Sequence, residues 1–246
     1  MESAETNALS LTESEKSIFI TRTYGWMALA LFISAVTAFF TARNIFTENG
    51  GATAFGRFLF ANGMVGFFVL AIAEIVLVFW LTRSIRKISV QAATVAFVAY
   101  SVINGITLSS IFIAYKISSI ASAFFGCSAM FLALCFYGST TKRNLLSMGK
   151  YLMMGLIGIL IASLVQMVIG FFTKTPLTML DLLISVATII VFTGLTAYDA
   201  QKILKTAEQA NGSDDYKKVA IIGALELYLD FINLFLTLLR LFGKRR

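Results

Sequence analysis

The chain has 246 residues, of which 58% are hydrophobic and only 13% charged, with one proline, no histidine and a formal net charge of +7. A soluble domain carries about 25% charged residues, so this composition describes an integral membrane protein. The lack of histidine excludes a Ser-His-Asp triad and any histidine-bearing metal centre, and basic residues scattered over short loops point to anionic lipid, not nucleic acid, as the counter-surface.

The opening stretch, MESAETNALSLTESEKS, is polar and acidic, unlike a cleavable signal peptide. Residues 1–22 therefore read as a polar N-terminal tail and 23–246 as one membrane domain. Apolar runs follow at 25–42, 58–81, 88–115, 117–137, 151–172, 177–198 and 219–242. A helix needs about 20 residues to cross a hydrocarbon core of about 30 Å, and none of these runs alternates as a barrel strand would. The expectation is an all-α integral membrane protein with seven transmembrane helices.

Lys and Arg are denser in the loops on the N-terminal side (Lys16 and Arg22; Arg83, Arg86 and Lys87; Lys142, Arg143 and Lys150; Lys202, Lys205, Lys217 and Lys218), which places the N-terminus in the cytoplasm. The basic tail GKRR is discordant. Seven crossings carry it outside, whereas a re-entrant last helix returns it. Cys127 and Cys135 share the fourth run, about 12 Å apart along a helix. That is too far for a mutual disulfide, so both read as small buried hydrophobes.

Charges inside spans carry the most information, since each costs at least about 2.5–3.5 kcal/mol at a helix centre. Glu74 lies deep in the second run, Asp181 and Asp199 near the two ends of the sixth, and Glu226, Asp230 and Arg240 in the seventh. In LELYLDFINLFLTLLR (225–240), Glu226, Asp230, Asn233, Thr237 and Arg240 recur at alternating steps of four and three, which stacks them on one helix face. The opposite face, of Leu, Phe and Ile, suits lipid. Asp181, Ser185, Thr188, Thr196 and Asp199 form a similar seam in the sixth run. Asp181 reads as a solvated interfacial group and Arg240 as an interfacial anchor; Glu74 is too deep to lack a partner.

If the sixth and seventh spans form an antiparallel hairpin, the midpoint between Asp199 and Asp230 falls inside QANGSDD, the turn-like stretch between them. The two carboxylates would then be level. At about 4 Å and an effective dielectric of about 20 they repel by roughly 4 kcal/mol. Such a pair shares one proton and titrates in two coupled steps. Protonated, it holds the helices together; doubly ionised, it repels or recruits a cation.

The segments GLTAYDAQKI, GALELYLDFINLFLTLLRLFG, AYSVINGITLSSIFIAY and FYGSTTKRNL together resemble the Bax inhibitor-1 (transmembrane BAX inhibitor motif) family, in its bacterial branch. The resemblance runs from about residue 20 to the C-terminus. It implies seven helices, the last (about 219–242) central with six around it. It also implies a pH-dependent calcium leak gated by a di-aspartyl sensor, which falls on Asp199 and Asp230. A closing latch between a second-helix Glu and a seventh-helix Arg falls on Glu74 and Arg240. The family's basic partner for the sensor has no secure match; Arg83 and Arg86 are candidates and Arg57 a weaker third. Calcium prefers 6–8 oxygens, so two carboxylates bind it weakly and transiently, as a permeating ion and not a cofactor. Glu226, Asn233 and Thr237 are secondary polar lining.

Other readings compete. A membrane interaction protein that modulates another membrane protein, such as a protease, would use the acidic tail as its handle. An intramembrane aspartyl protease is remote: Tyr228-Leu229-Asp230 lacks the Gly-x-Gly-Asp motif, and Pro176 is the only proline. A proton-coupled transporter lacks an inverted repeat. The expectation is a multi-pass, non-enzymatic protein of the cell's inner (plasma) membrane whose partners are lipid, protons, calcium and other membrane proteins.

Overall fold

Each apolar run forms a helix, and in several cases the helix outlasts the run. A computed structural model describes residues 2–46, 51–85, 87–173 and 178–246. Arg86, Lys174 and Pro176 lie outside them. The long helices are α1 (Glu2–Arg43), α2 (Ala54–Ser84), α3 (Val90–Ala114), α4 (Ile117–Thr140), α5 (Gly149–Thr173), α6 (Thr178–Ala207) and α7 (Asp214–Phe242), with a short 3-10 turn at Leu145–Met148 before α5. Among the described residues, six helical stretches are long and apolar enough to cross a membrane: all but α2 contribute one. The all-α, multi-pass membrane architecture follows.

The acidic stretch belongs to α1. It is helical from Glu2 and continuous with the first span, as its Ala, Leu, Glu and Lys content favours. Loops end in side-chain caps: the Thr53 hydroxyl accepts from the Gly56 N–H (3.0 Å) and the Ser89 hydroxyl from the Ala92 N–H (3.1 Å).

The helices sort into two compact units. The first comprises Met1–Ile117, Ala207–Tyr228 and Arg245–Arg246, and the second Ser118–Thr206 and Leu229–Lys244. In the first, α1 and α3 approach closely at Gly105, where a Cβ would sit 2.7 Å from the Ser34 carbonyl oxygen. Also in the first, Arg245 forms an isolated antiparallel bridge with Tyr115, and the Arg246 N–H donates to the Ala114 carbonyl (3.1 Å). The basic tail therefore ends beside the C-terminus of α3. With 29 residues and no break, α7 extends roughly 43 Å at 1.5 Å per residue. A re-entrant segment needs a reversal, and α7 has none.

In the second unit the helices meet through small residues. A Cβ at Gly155 of α5 would meet the Val191 side chain of α6 at 2.9 Å, and one at Gly194 of α6 would meet Leu152 of α5 at 2.6 Å. Each helix thus lends a gap to the other's branched side chain. Lipid tails are as apolar as leucine, so such close packing, not solvent exclusion, holds helices together here.

The expectation of a lipid-facing side on α7 is corrected. Leu225, Leu227, Tyr228, Phe231, Leu234 and Phe235 are as buried as Asp230 and Thr237. Its most apolar window is 67% buried, against 6% for Leu145–Gln166 in and before α5. An enclosed helix is what the resemblance implied for the last span.

Candidate functional site

The α6–α7 turn sits earlier than the register argument assumed. It occupies 208–213, with Gly212 at φ 69° and the Asn211 Oδ1 accepting from the Ser213 N–H (3.2 Å). Asp214 and Asp215 belong to the first turn of α7, where acidic groups complement the helix dipole. Asp199 thus lies about two turns before the end of α6, and Asp230 more than about four turns into α7. Equal distance from the turn is not what relates the two aspartates.

Packing relates them instead. Both fall in the second unit, both are buried (Asp199 7% exposed, Asp230 4%), and neither carboxylate stands free of interaction. Helix α4 touches both of their helices with one face. Its stripe Cys127, Phe131, Cys135 and Gly138 is buried at spacings of four, four and three. At one end, the Cys127 thiol points to the Phe231 carbonyl (Sγ–O 3.6 Å) and the Phe131 ring meets Phe231 edge-on at 5.5 Å. At the other, Gly138 lies so close to α6 that a Cβ would run into the Ala197 carbonyl oxygen and touch Ala200. The contacts flank Asp230 and Asp199 in sequence. Both cysteines are buried thiols outside any disulfide, as expected.

The rest of the YDAQ motif fixes the backbone around Asp199. Gln201, 5% exposed, accepts from the Leu145 N–H through Oε1 (2.8 Å) and donates from Nε2 to the Arg143 carbonyl (2.9 Å). A Cβ at Gly149 would meet the Tyr198 ring at 2.6 Å. Tyr198 and Gln201, three apart on one helix face, therefore grip the α4–α5 connection from either side of Asp199. Neither role was read from the sequence, although a glutamine inside an apolar helix was the available signal.

Four neutral polar groups of the two seams donate to their own helices, while the buried Ser185 hydroxyl has no hydrogen-bond partner among the described residues. Thr188 donates to the Ile184 carbonyl (2.7 Å), Thr196 to Phe192 (2.8 Å), Thr237 to Asn233 (2.7 Å), and Asn233 Nδ2 to Leu229 (2.7 Å). With its hydrogen donated to its own helix, a threonine hydroxyl has only lone pairs left to offer. Thr237 is buried and Asn233 and Glu226 half-buried. The threonines of the seams therefore present oxygen acceptors, and Ser185 keeps a hydrogen to donate.

Glu74 and Arg240 each have a partner other than the expected one. In the first unit, Glu74 accepts from Thr107 Oγ1 (2.7 Å) and Asn104 Nδ2 (3.1 Å). The Asn104 Oδ1 accepts from the Tyr228 hydroxyl (2.8 Å), which lies 2.7 Å from the Ser34 hydroxyl. Four helices meet in this network, and Tyr228 is fully buried at its centre between the edges of Phe97 and Tyr100. In the second unit, Arg240 Nη1 lies 3.2 Å from Asp181 Oδ1, which also accepts from Gln166 Nε2 (3.4 Å). Asp181 is thus an ion-pair partner and not merely solvated: one turn of α6 brings its carboxylate within reach of the guanidinium. Arg83 and Arg57 are exposed at opposite ends of α2, and Arg86 lies outside the described residues.

Residues 16–246 match the family model "Inhibitor of apoptosis-promoting Bax1". The chain is 44% identical over 230 residues to "Inner membrane protein YbhL" of Escherichia coli strain K12, covering 93% of this chain and 92% of that one. It is 40% identical over 244 residues to an uncharacterized protein of Borreliella burgdorferi (97% and 99%), and 35% identical over 247 residues to an uncharacterized protein of Rickettsia prowazekii (98% of each). With nearly the whole chain matched and the aspartate-bearing helices inside the match, this membrane protein belongs to the Bax inhibitor-1 family.

Proposed function

We propose that the protein is a pH-sensitive calcium leak of the inner membrane, with a cytoplasmic N-terminus, gated by proton sharing between Asp199 and Asp230. The observation that carries this reading is the burial of two carboxylates in one compact unit, on helices whose buried threonines Thr188, Thr196 and Thr237 offer only acceptor lone pairs. Such a seam repels anions and attracts a cation. Two carboxylates leave most of the 6–8 calcium oxygens to water, which suits passage better than storage. The closing latch of this reading remains Glu74 with Arg240, and Arg240 pairs with Asp181 (3.2 Å) while that latch is open. The relative's printed name, an inner membrane protein, supports the location, and nothing in this chemistry calls for enzymatic turnover.

The test is calcium entry into liposomes holding the purified protein, between about pH 6 and pH 8, where a shared carboxylate proton can exchange. The wild-type leak should vary with pH, and Asp199→Asn or Asp230→Asn should flatten that dependence. A wild type that passes no calcium at any pH ends the channel reading. It would favour the second one, an interaction protein whose handle is the acidic start of α1, since the family match begins only at residue 16. Truncation of that stretch should then abolish activity while both Asn variants keep it.

A further inference from the structure

Just outside the first apolar run, the first unit holds a cavity of about 320 Å3 that the leak does not use. Its charged and aromatic lining is Glu15, Phe19, Arg22, Tyr216 and Lys217, with Gly212 of the turn as part of its wall. Glu15, Phe19 and Arg22 fall on one face of α1, at steps of four and three. The Phe19 and Tyr216 rings meet edge-on, centroids 6.3 Å apart. Glu15 reaches across to the turn, where a Cβ at Gly212 would lie 3.3 Å from its Oε1. Lys217 is occupied by Asp214 (2.8 Å). Among the described residues, no ion pair is made by Glu15 or by Arg22.

The cavity thus offers a carboxylate at one end, a guanidinium at the other and two aromatic rings near them. That is a complement to a small zwitterion. The order of the charges says which kind. Arg22 precedes the apolar run at Gly25 by less than a turn, and Glu15 lies about two turns further out. On the other wall, Tyr216 and Lys217 precede the apolar run that begins at Val219. In an amino-phospholipid the phosphate lies next to the glycerol and acyl chains, and the amine stands further out. We infer that this cavity binds a phosphoethanolamine headgroup from the surrounding bilayer, with its phosphate on Arg22 and its ammonium on Glu15. A guanidinium takes phosphate oxygens in pairs. A primary ammonium can donate hydrogen bonds to Glu15, which a quaternary ammonium cannot.

Native mass spectrometry of the full-length protein, released from detergent with phosphatidylethanolamine, phosphatidylcholine or phosphatidylglycerol of matched acyl chains, tests this. Phosphatidylethanolamine should be retained about tenfold better than phosphatidylglycerol, the scale of one charge-assisted hydrogen bond. Glu15→Gln should erase that preference while phosphatidylglycerol is still retained; Glu15→Lys should reverse it; Arg22→Gln should lower retention of both lipids. Excess soluble phosphoethanolamine should not displace the lipid. If it does at comparable concentration, the lipid assignment is overturned in favour of a soluble phosphate ester. Equal retention of the three lipids by wild type, or a preference kept by the Glu15 variants, overturns the site. Neither residue belongs to the proposed ion path, so these outcomes are independent of whether calcium leaks.

Discussion

The two units tie their helices together in different ways. In the first, side chains bond to one another across helices: Ser34 of α1, Glu74 of α2, Asn104 and Thr107 of α3 and Tyr228 of α7 form one connected set. In the second, Thr188, Thr196, Asn233 and Thr237 bond to their own backbone, Gln201 bonds to the backbone of the α4–α5 connection, and the helices approach closely at Gly138, Gly155 and Gly194. The first arrangement fixes geometry, because moving any helix strands a donor or an acceptor. The second makes steric fit decisive, because what joins the helices there is close contact between backbone and side chains. The division falls between Tyr228 and Leu229, so α7 contributes to both units.

The sharpest way to break the comparison is to swap the injuries. Gly138→Leu puts a branched side chain where even a Cβ meets the Ala197 carbonyl, and backbone on the far side cannot rotate away. A loss of about 3 kcal/mol or more is expected from such overpacking, read as lost monodisperse protein in a heat-challenge size-exclusion assay. In the first unit, the damaging change is a lost acceptor. Glu74→Leu strands Asn104 Nδ2 and leaves the Thr107 hydroxyl only its longer bond to the Ile103 carbonyl (3.3 Å), and should cost about 1–3 kcal/mol, while Glu74→Gln, which keeps one acceptor, should cost less. If Glu74→Leu were neutral in the same assay, the network would not be what fixes the first unit.

Smaller effects sharpen the picture. Tyr228→Phe keeps the ring contacts with Phe97 and Tyr100 and removes only the hydroxyl, so about 1 kcal/mol is expected, near the average for a hydrogen bond between membrane helices. Gln201→Leu should leave overall stability little changed but speed amide exchange at Leu145, whose N–H loses its acceptor.

What was legible beforehand follows the same division. Apolar run length gave the helices, and the four-three spacing gave the seam of α7, because both are local properties of one chain segment. The wall opposite that seam was misread, since Leu, Phe and Ile look alike whether they meet lipid or protein. The hub at Tyr228 was invisible for a related reason: nothing within YLDF says that Asn104, more than a hundred residues away, supplies its acceptor. The turn could have been placed correctly. Asn211-Gly212 is the reversal and Ser213-Asp214-Asp215 a helix start, so reading all seven residues as turn moved its centre toward α7 and made the two aspartates seem equidistant.

The smallest expected effect decides between two partners of Arg240. Arg240 and Asp181 are 46% and 38% exposed, and ion pairs that wet are worth about 0–1 kcal/mol and weaken with salt. A double-mutant cycle of Arg240→Gln with Asp181→Asn should give a coupling in that range that vanishes at about 1 M salt, where the screening length is about 3 Å. The same cycle run with Glu74→Gln should give none if the Asp181 contact is the resting partner. A coupling larger than about 1 kcal/mol between Arg240 and Glu74, insensitive to salt, would instead mean that Arg240 leaves Asp181 for the half-buried Glu74. The latch that the family resemblance implied would then be a second state of the same helix, with Asp181 holding the guanidinium whenever Glu74 is engaged by Asn104 and Thr107.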